Sequence, residues 1–388
     1  MDVRQADRSL TIAHLLPWPG IGGTEHATLR IARAAAERGY RNIAFYRQDS
    51  PVVGEFFRDA GLETVPYELA ELSARRPLPF VRNTLALRNA FRSHAVDLVH
   101  CADIDAALQV APAGRLAKVP VLCHIRNPWT SMLRREALVL SAVDTFVFVS
   151  QDTWSTFAYR VGPARGRVLY DGLDVQAPPE QASRAEVRRE LGIAAGAPVI
   201  GMTARVSAQK DYLTLARAAK RVLDVVPDAR FVIVGDHERH EAHRDHFALV
   251  QRELERLGVA HAFIFTGFRS DVARVMGAFD VFVLSTHFEG LPLVILEAMA
   301  MQLPVVATAV NGIPELITSD AVGLLAPHED EEALANQLLA LLRDPARASR
   351  IAAGGRELVE RRFSARAFGE SIAALYADAL RGRVGTAR

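Results

Sequence analysis

The chain alternates short apolar runs, rich in β-branched residues, with longer segments of helical periodicity, and it does so twice. Residues 10–16, 42–46, 96–101, 119–123, 145–149 and 167–170 read as strands. Between them, 24–38, 78–93, 104–118 and 151–161 read as helices. The first helix puts Ala27, Ile31, Ala34 and Ala35 on one face and stops at Gly39. Strands that are apolar on both faces, each followed by a helix, predict a parallel sheet covered on both sides. The rhythm pauses over residues 171–196, where Pro178, Pro179, Gly196 and one short charged helix at 184–191 read as a linker. It then restarts with strands at 199–203, 230–234, 262–266, 281–284 and 305–308, and helices at 210–225, 242–257, 272–279 and 293–301. The expectation is an α/β protein of two Rossmann-like domains facing across a cleft, with ligands at the carboxyl ends of the strands. The boundaries fall at 1–172 for the first domain, 173–196 for the linker and 197–362 for the second. Residues 363–388 then supply a last helix, expected to cross back to the first domain.

Composition narrows the partners. The 46 Lys and Arg against 45 Asp and Glu leave a formal charge of +1, which gives nucleic acid no electrostatic footing. That sum conceals a split: +4 up to Gly172 and −3 after it. Much of the excess lies in residues 75–92, where Arg75, Arg76, Arg82, Arg88 and Arg92 meet no acidic residue. Both a solvated helix face and an anionic membrane surface suit such a segment. Cys101 and Cys123 are too few for a disulfide framework and read as reduced thiols on strands. The most apolar stretch, residues 137–149, contains Asp144 and falls short of the ~20 residues a membrane helix needs. Together these predict a cytoplasmic protein, peripheral to a membrane at most.

The chemistry concentrates in Glu289-Gly290-Leu291-Pro292-Leu293-Val294-Ile295-Leu296-Glu297. Pro292 suits a helix start, and the backbone N–H groups of Leu293 and Val294 then point outward, ready for an anion. Glu297 lies about one turn inside and can accept hydrogen bonds from a diol. Arg205 and Lys210 follow a strand and precede a helix, where two fixed cations can neutralise a diphosphate. Each of these residues taken singly also fits an ordinary surface or helix-entry position.

The string from Glu289 to Glu297 resembles the E-x7-E motif of the retaining GT-B glycosyltransferases grouped as glycosyltransferase family 4. Other pieces fit in the same order. Gly22-Gly23-Thr24-Glu25 is similar to that family's N-terminal glycine loop, and Asp171-Gly172-Leu173-Asp174 to its hinge. Gly201-Met202-Thr203-Ala204-Arg205 with Lys210 resembles its Arg-x4-Lys loop, and Gly235-Asp236 its next strand end. The resemblance spans nearly the whole chain and implies a GT-B fold. It implies that Arg205 and Lys210 hold the pyrophosphate of a UDP- or GDP-linked sugar, so that transfer needs no metal and no cofactor. It gives Glu289 the donor sugar's hydroxyls and Glu297 the ribose diol, with Gly290, Leu291, Leu293 and Val294 around the nucleotide. Gly22 and Gly23 would let backbone approach the phosphate. His124 would meet the sugar from the first domain, and Phe268 and Arg269 would border the nucleobase. The implied reaction is glycosyl transfer with retention to a hydroxyl of a glycan, glycolipid or small molecule, for a cell-surface glycan or glycolipid precursor. Front-face attack is expected, because both glutamates are committed to hydroxyls and neither is left as a nucleophile.

Two departures from the family's pattern stand out. Asp171 occupies a hinge position where the family has Asn. His237 follows Asp236 and opens a run with His240, His243 and His246, which reads as a solvated, mixed-charge helix face. A hydrolysing nucleotide-sugar epimerase and a catalytically inactive sugar-binding member of the same fold are the alternatives. A dinucleotide oxidoreductase is disfavoured, because Gly20-Ile21-Gly22-Gly23-Thr24-Glu25 does not follow Gly-x-Gly-x-x-Gly and the second strand ends near Tyr46 and Arg47 without an acid.

Overall fold

The computed structural model describes residues 8–70, 75, 77–174 and 181–381. Arg76 and the linker prolines Pro178 and Pro179 lie outside the described residues. The chain forms two compact units, one of residues 1–172 and 365–388 and the other of residues 173–364.

The first unit runs β1 (Thr11–Leu16), α1 (Gly23–Ala36), β2 (Arg41–Arg47), α2 (Pro51–Asp59), β3 (Glu63–Tyr67), α3 (Pro77–Ser93), β4 (Leu98–Cys101), α4 (Ile104–Ala117), β5 (Val121–Ile125), α5 (Arg134–Leu140), β6 (Thr145–Phe148), α6 (Gln151–Ser155) and β7 (Gly166–Val168). Its seven strands lie parallel in the order β3-β2-β1-β4-β5-β6-β7. Strands β1, β4 and β5 are buried along their whole length, which explains their unbroken apolar runs. Cys101 and Cys123 face each other in register on β4 and β5, both as buried thiols whose pKa burial raises.

The second unit runs α7 (Gln181–Glu190), β8 (Val199–Thr203), α8 (Tyr212–Leu223), β9 (Arg230–Val234), α9 (Glu241–Arg256), β10 (Phe263–Phe265), α10 (Val272–Met276), β11 (Val281–Leu284), α11 (Leu293–Ala300), β12 (Val305–Thr308), α12 (Ile313–Leu316), β13 (Leu324–Ala326), α13 (Glu331–Arg343) and α14 (Pro345–Arg362). Its six strands are parallel in the order β10-β9-β8-β11-β12-β13. The last helix, α15 (Ala365–Arg381), belongs to the first unit, where Phe368, Ile372, Leu375 and Tyr376 pack with Ile12, Ile31 and Leu98.

Strand order reverses direction between β1 and β4 in one sheet and between β8 and β11 in the other. Such switch points leave a crevice at the carboxyl ends of the two strands, because the helices that follow depart to opposite faces. The candidate residues are to be sought there.

Candidate active site

In the second unit the two loops flanking the switch point are laced together. The loop after β8 ends at Asp211, whose Oδ1 accepts the Thr214 N–H (3.0 Å) and caps α8. The loop after β11 lies against it. The Asp211 N–H donates to the Ser285 carbonyl (3.1 Å), and Ser285 Oγ returns a bond to the Asp211 carbonyl (2.8 Å). The His287 N–H donates to the Gln209 carbonyl (2.9 Å), and Lys210 and Thr286 form an antiparallel bridge.

This lacing brings Lys210 Nζ onto Glu289 Oε1, the two side chains being 12% and 10% exposed. The Thr286 hydroxyl donates to the same carboxylate oxygen (3.1 Å), and Asn311 Oδ1 accepts the Glu289 N–H (3.1 Å). Asn311 holds a left-handed backbone (φ 44°), a conformation Asn tolerates better than most residues. Thr286 and Asn311 were not singled out from sequence. Neither carries a spacing signal, and only the loop geometry recruits them.

Arg205 is different. It is exposed and makes no ion pair among the described residues. The backbone beneath it is fixed: the Tyr212 hydroxyl, at the buried start of α8, donates to the Ala204 carbonyl (3.0 Å). Gly235 lies so close that a Cβ there would run into that carbonyl and come 3.0 Å from the Arg205 nitrogen. Glycine at 235 therefore lets the loop after β9 lie directly on the loop that carries Arg205.

Beyond Glu289, Gly290 is buried, Leu291 is half-buried, and Pro292 stands just before α11. Leu293 and Val294 form the helix's first turn, where backbone N–H groups have no partner within the helix. Glu297 is exposed one turn further on. Phe268 is 58% exposed, with the Arg239 guanidinium 3.8 Å above its ring. Arg269 is engaged elsewhere, in ion pairs with Asp271 (2.7 Å) and Glu190 (2.9 Å) that raise its pKa and hold the Asp271 carboxyl down at about 2. Its guanidinium thus braces α7 and α10.

In the first unit, Gly22 and Gly23 follow β1 at its switch point and open α1. Gly22 has an extended backbone (φ −148°), and neither residue adopts a positive φ. A Cβ on Gly22 would make only an ordinary contact with Glu25 Oε2 (3.6 Å), and one on Gly23 would meet nothing within 4 Å. Neither backbone conformation nor packing requires glycine here. Glu25 reaches back to accept the Gly22 N–H (2.8 Å); it is 2% exposed, and burial raises its pKa. Across the switch point Asp103 caps α4, its pKa raised by burial to about 6. A lone Asp before a helix reads as an ordinary cap, so sequence does not mark it out.

His124 lies within β5 and is fully buried. Its Nδ1 is 3.3 Å from His100 Nε2 and 3.3 Å from Arg126 Nη2, and its Nε2 has no hydrogen-bond partner. His100 in turn meets the Tyr376 hydroxyl at 2.7 Å. Burial, then the charge of Arg126, then His100 lower the His124 pKa well below its usual value, so the imidazole is neutral at pH 7. Asp171, at the altered hinge position, forms a buried ion pair with Arg126 (2.7 Å). The carboxylate in place of Asn thus compensates a buried guanidinium two residues beyond His124.

The histidine run needs correction. It is not one solvated helix face, because His237 precedes α9, and both His237 and His243 are buried. His237 packs on Phe247, ring centroids 4.2 Å apart, while His243 Nδ1 bonds Asp236 (2.9 Å). Burial pushes the Asp236 pKa up, but the bonds from His243 and from the Arg239 and Glu238 N–H groups outweigh it, and the net shift is downward.

Two parallel Rossmann-like sheets, with an anion-ready helix start and a Lys–Glu pair at the switch point of the second, define a nucleotide-dependent transferase of the GT-B fold class. Comparison with known proteins agrees for each half of the chain. Residues 21–177 match the family described as Glycosyltransferase Family 4, and residues 197–344 the family Glycosyl transferases group 1. The chain belongs to glycosyltransferase family 4 and is a retaining glycosyltransferase that uses nucleotide-sugar donors. It is 23% identical over 358 residues to the UDP-Gal:alpha-D-GlcNAc-diphosphoundecaprenol alpha-1,3-galactosyltransferase of Escherichia coli, covering 88% of this chain and 90% of that one. A GDP-mannose-dependent monoacylated alpha-(1-6)-phosphatidylinositol monomannoside mannosyltransferase of Corynebacterium glutamicum is 28% identical, covering 80% and 84%. The crystal structure of HepE from Anabaena, in complex with UDP and glucose, superimposes with a TM-score of 0.81 at 21% identity over 95% of this chain and 99% of that one.

Proposed function

We propose that this enzyme transfers a hexosyl group from a UDP- or GDP-linked sugar to a hydroxyl of a lipid-linked glycan precursor. The observation that carries the reading is the Lys210–Glu289 pair, buried beside the exposed Arg205 at the carboxyl ends of β8 and β11. Arg205 and Lys210 bind the diphosphate, and Glu289 accepts hydrogen bonds from the donor sugar. Glu297 takes the ribose diol, with Gly290, Leu291 and the N–H groups of Leu293 and Val294 lining the nucleotide. Phe268 offers a stacking face for the base. Gly22 and Gly23 keep side-chain volume away from the reacting centre, and neutral His124, buried within β5, backs the sugar site through its contact with Arg126.

In the transfer step the bond between the anomeric carbon and the phosphate oxygen breaks toward the phosphate. The acceptor oxygen bonds that carbon on the same face, and its proton passes to the departing phosphate oxygen. Arg205 and Lys210 stabilise the charge that develops on the leaving group, which is electrostatic catalysis by preplaced cations. No step calls for a metal.

The relatives' printed names support both donor classes, UDP-galactose and GDP-mannose, and lipid-linked acceptors. Helix α3 supports a membrane-borne acceptor: Leu78, Val81 and Leu85 are 79%, 49% and 43% exposed at helical spacing, with Arg75, Arg82 and Arg92 exposed nearby. An apolar strip beside cations suits an anionic bilayer surface. No helix among the described residues is long and apolar enough to cross a membrane.

The test is calorimetric titration with UDP, GDP and ADP, followed by transfer assays with sugar conjugates of the base that binds. Lys210→Ala and Glu289→Ala should each lower transfer at least ~10²-fold, the scale of removing one transition-state charge partner. Activity close to wild type in either variant overturns the assignment.

A further inference from the structure

The loop that presents Glu289 holds a second cluster with no part in the transfer step. His287, two residues before Glu289, lies with its Nδ1 2.9 Å from His328 Nε2, and its Nε2 3.9 Å from Asp211 Oδ1. One ligating atom from each of Asp211, His287 and His328 lies within 4.8 Å of the others. Glu329 adds a carboxylate oxygen 3.4 Å from His287 Nδ1 and 3.8 Å from His328 Nε2. The three residues come from three separate connections: the start of α8, the loop after β11 and the loop after β13.

A second observation points to a cation. Asp211 is 3% exposed, and only its Oδ1 is used in capping α8. Its Oδ2 is buried and has no hydrogen-bond partner. A buried carboxylate oxygen left without a positive partner is costly, so such groups are normally paired or bound to a metal.

We propose that Asp211, His287 and His328 form a site for a divalent transition cation of the zinc type, with Glu329 or water completing a four-ligand shell. Ligand chemistry sets the preference. Two imidazoles and a carboxylate suit zinc and its neighbours, whereas magnesium and calcium take all-oxygen shells. A tetrahedral ion about 2.0–2.2 Å from each ligand would sit among these atoms after small side-chain rotations. There it clamps the loop carrying Glu289 to the helix start next to Lys210, and it gives the buried Asp211 carboxylate a positive partner. The proposal is independent of the proposed transfer chemistry, in which none of Asp211, His287 and His328 has a role.

The test is calorimetric titration of the metal-stripped full chain with zinc chloride and, separately, magnesium chloride. Wild type should bind one tight equivalent of zinc with a rise in melting temperature and give no response to magnesium. His328→Ala, at a 41% exposed side chain, and Asp211→Asn, which keeps the capping acceptor, should each weaken that equivalent at least tenfold. His240→Gln removes a histidine just before α9 that is not among the proposed ligands and should bind as wild type does. The proposal fails if wild type binds no zinc, if His328→Ala and Asp211→Asn bind as wild type does, or if His240→Gln alone abolishes the tight equivalent.

Discussion

Gly23→Ala separates a glycine kept for a ligand from one kept for the fold. Gly23 opens α1, has no positive φ, and a Cβ there would meet nothing within 4 Å. Ala is the better helix former and restricts the unfolded chain, so the variant should be as stable as wild type or more so, by up to ~1 kcal/mol. If the phosphate and the reacting carbon pass over this backbone, the new methyl displaces them. Misplacing reacting atoms by about 1 Å costs on the order of 10²-fold in rate, or ~2.7 kcal/mol. Stability and transfer should therefore move in opposite directions. Gly235→Ala is the contrast: its Cβ would collide with the Ala204 carbonyl, a backbone atom that cannot swing aside, and stability should fall by ~1–3 kcal/mol. Urea unfolding gives the stabilities and initial rates give kcat/KM. Wild-type kcat/KM in Gly23→Ala would refute the reasoning, and so would a loss of more than 1 kcal/mol of its stability.

Arg205→Ala should leave stability within ~0.5 kcal/mol, because the side chain is exposed and makes no ion pair among the described residues. The affinity for the nucleoside diphosphate that binds should fall ten- to a hundredfold in calorimetry, the worth of a charged hydrogen bond. Acid should weaken the fold through buried histidines. Burial lowers the His14 pKa from 6.5 to about 4, so the unfolded chain takes up the proton first. The stability from His14, of order 3 kcal/mol, is complete above pH 6.5 and is lost as pH falls toward 4. Urea unfolding across that window checks it, and His14→Asn should flatten the slope by one proton. Vesicle sedimentation tests α3. Leu78→Ser with Arg82→Glu should abolish pelleting with anionic vesicles but not change nucleotide binding, and equal pelleting of wild type and variant would remove the membrane assignment.

What sequence shows depends on how local the cause is. The alternation that predicts two parallel sheets is local, and the strands β1, β4, β8 and β11 all fall within the predicted runs, while β5 runs two residues past the predicted 119–123 and takes in His124. Elements at the sheet edges escape it. Strand β3 reads Glu63-Thr64-Val65-Pro66-Tyr67, pairs among the described residues only with β2, and tolerates a proline as an edge strand. Strand β13, also at an edge, has only three residues and no periodicity to detect, and α13 and α14 follow it in a segment whose helices the sequence pattern does not announce. At the site, the glutamates and the Arg-x4-Lys spacing are legible because they are contiguous motifs. Thr286, Asn311 and the partnership of Arg126 with Asp171 are not, since each depends on loops separated by 22 to 77 residues or more, or on a strand end meeting a hinge.

The structure also distinguishes two cations that the motif presents as equals. Lys210 and Glu289 enter together because each makes the other's burial tolerable; either alone would be an uncompensated charge in a site that is only about a tenth exposed. On the proposed function, an incoming diphosphate would compete with Glu289 for Lys210, while sugar hydroxyls would supply Glu289 with the hydrogen bonds it gives up. Such an exchange would keep both groups satisfied at every stage, so that little of the binding energy would go into desolvation. Arg205 has no such partner among the described residues, and in the proposed role it would stay hydrated until phosphate arrives, as a first electrostatic contact should. Held by the backbone that Tyr212 and Gly235 fix, it needs no salt bridge to be in position.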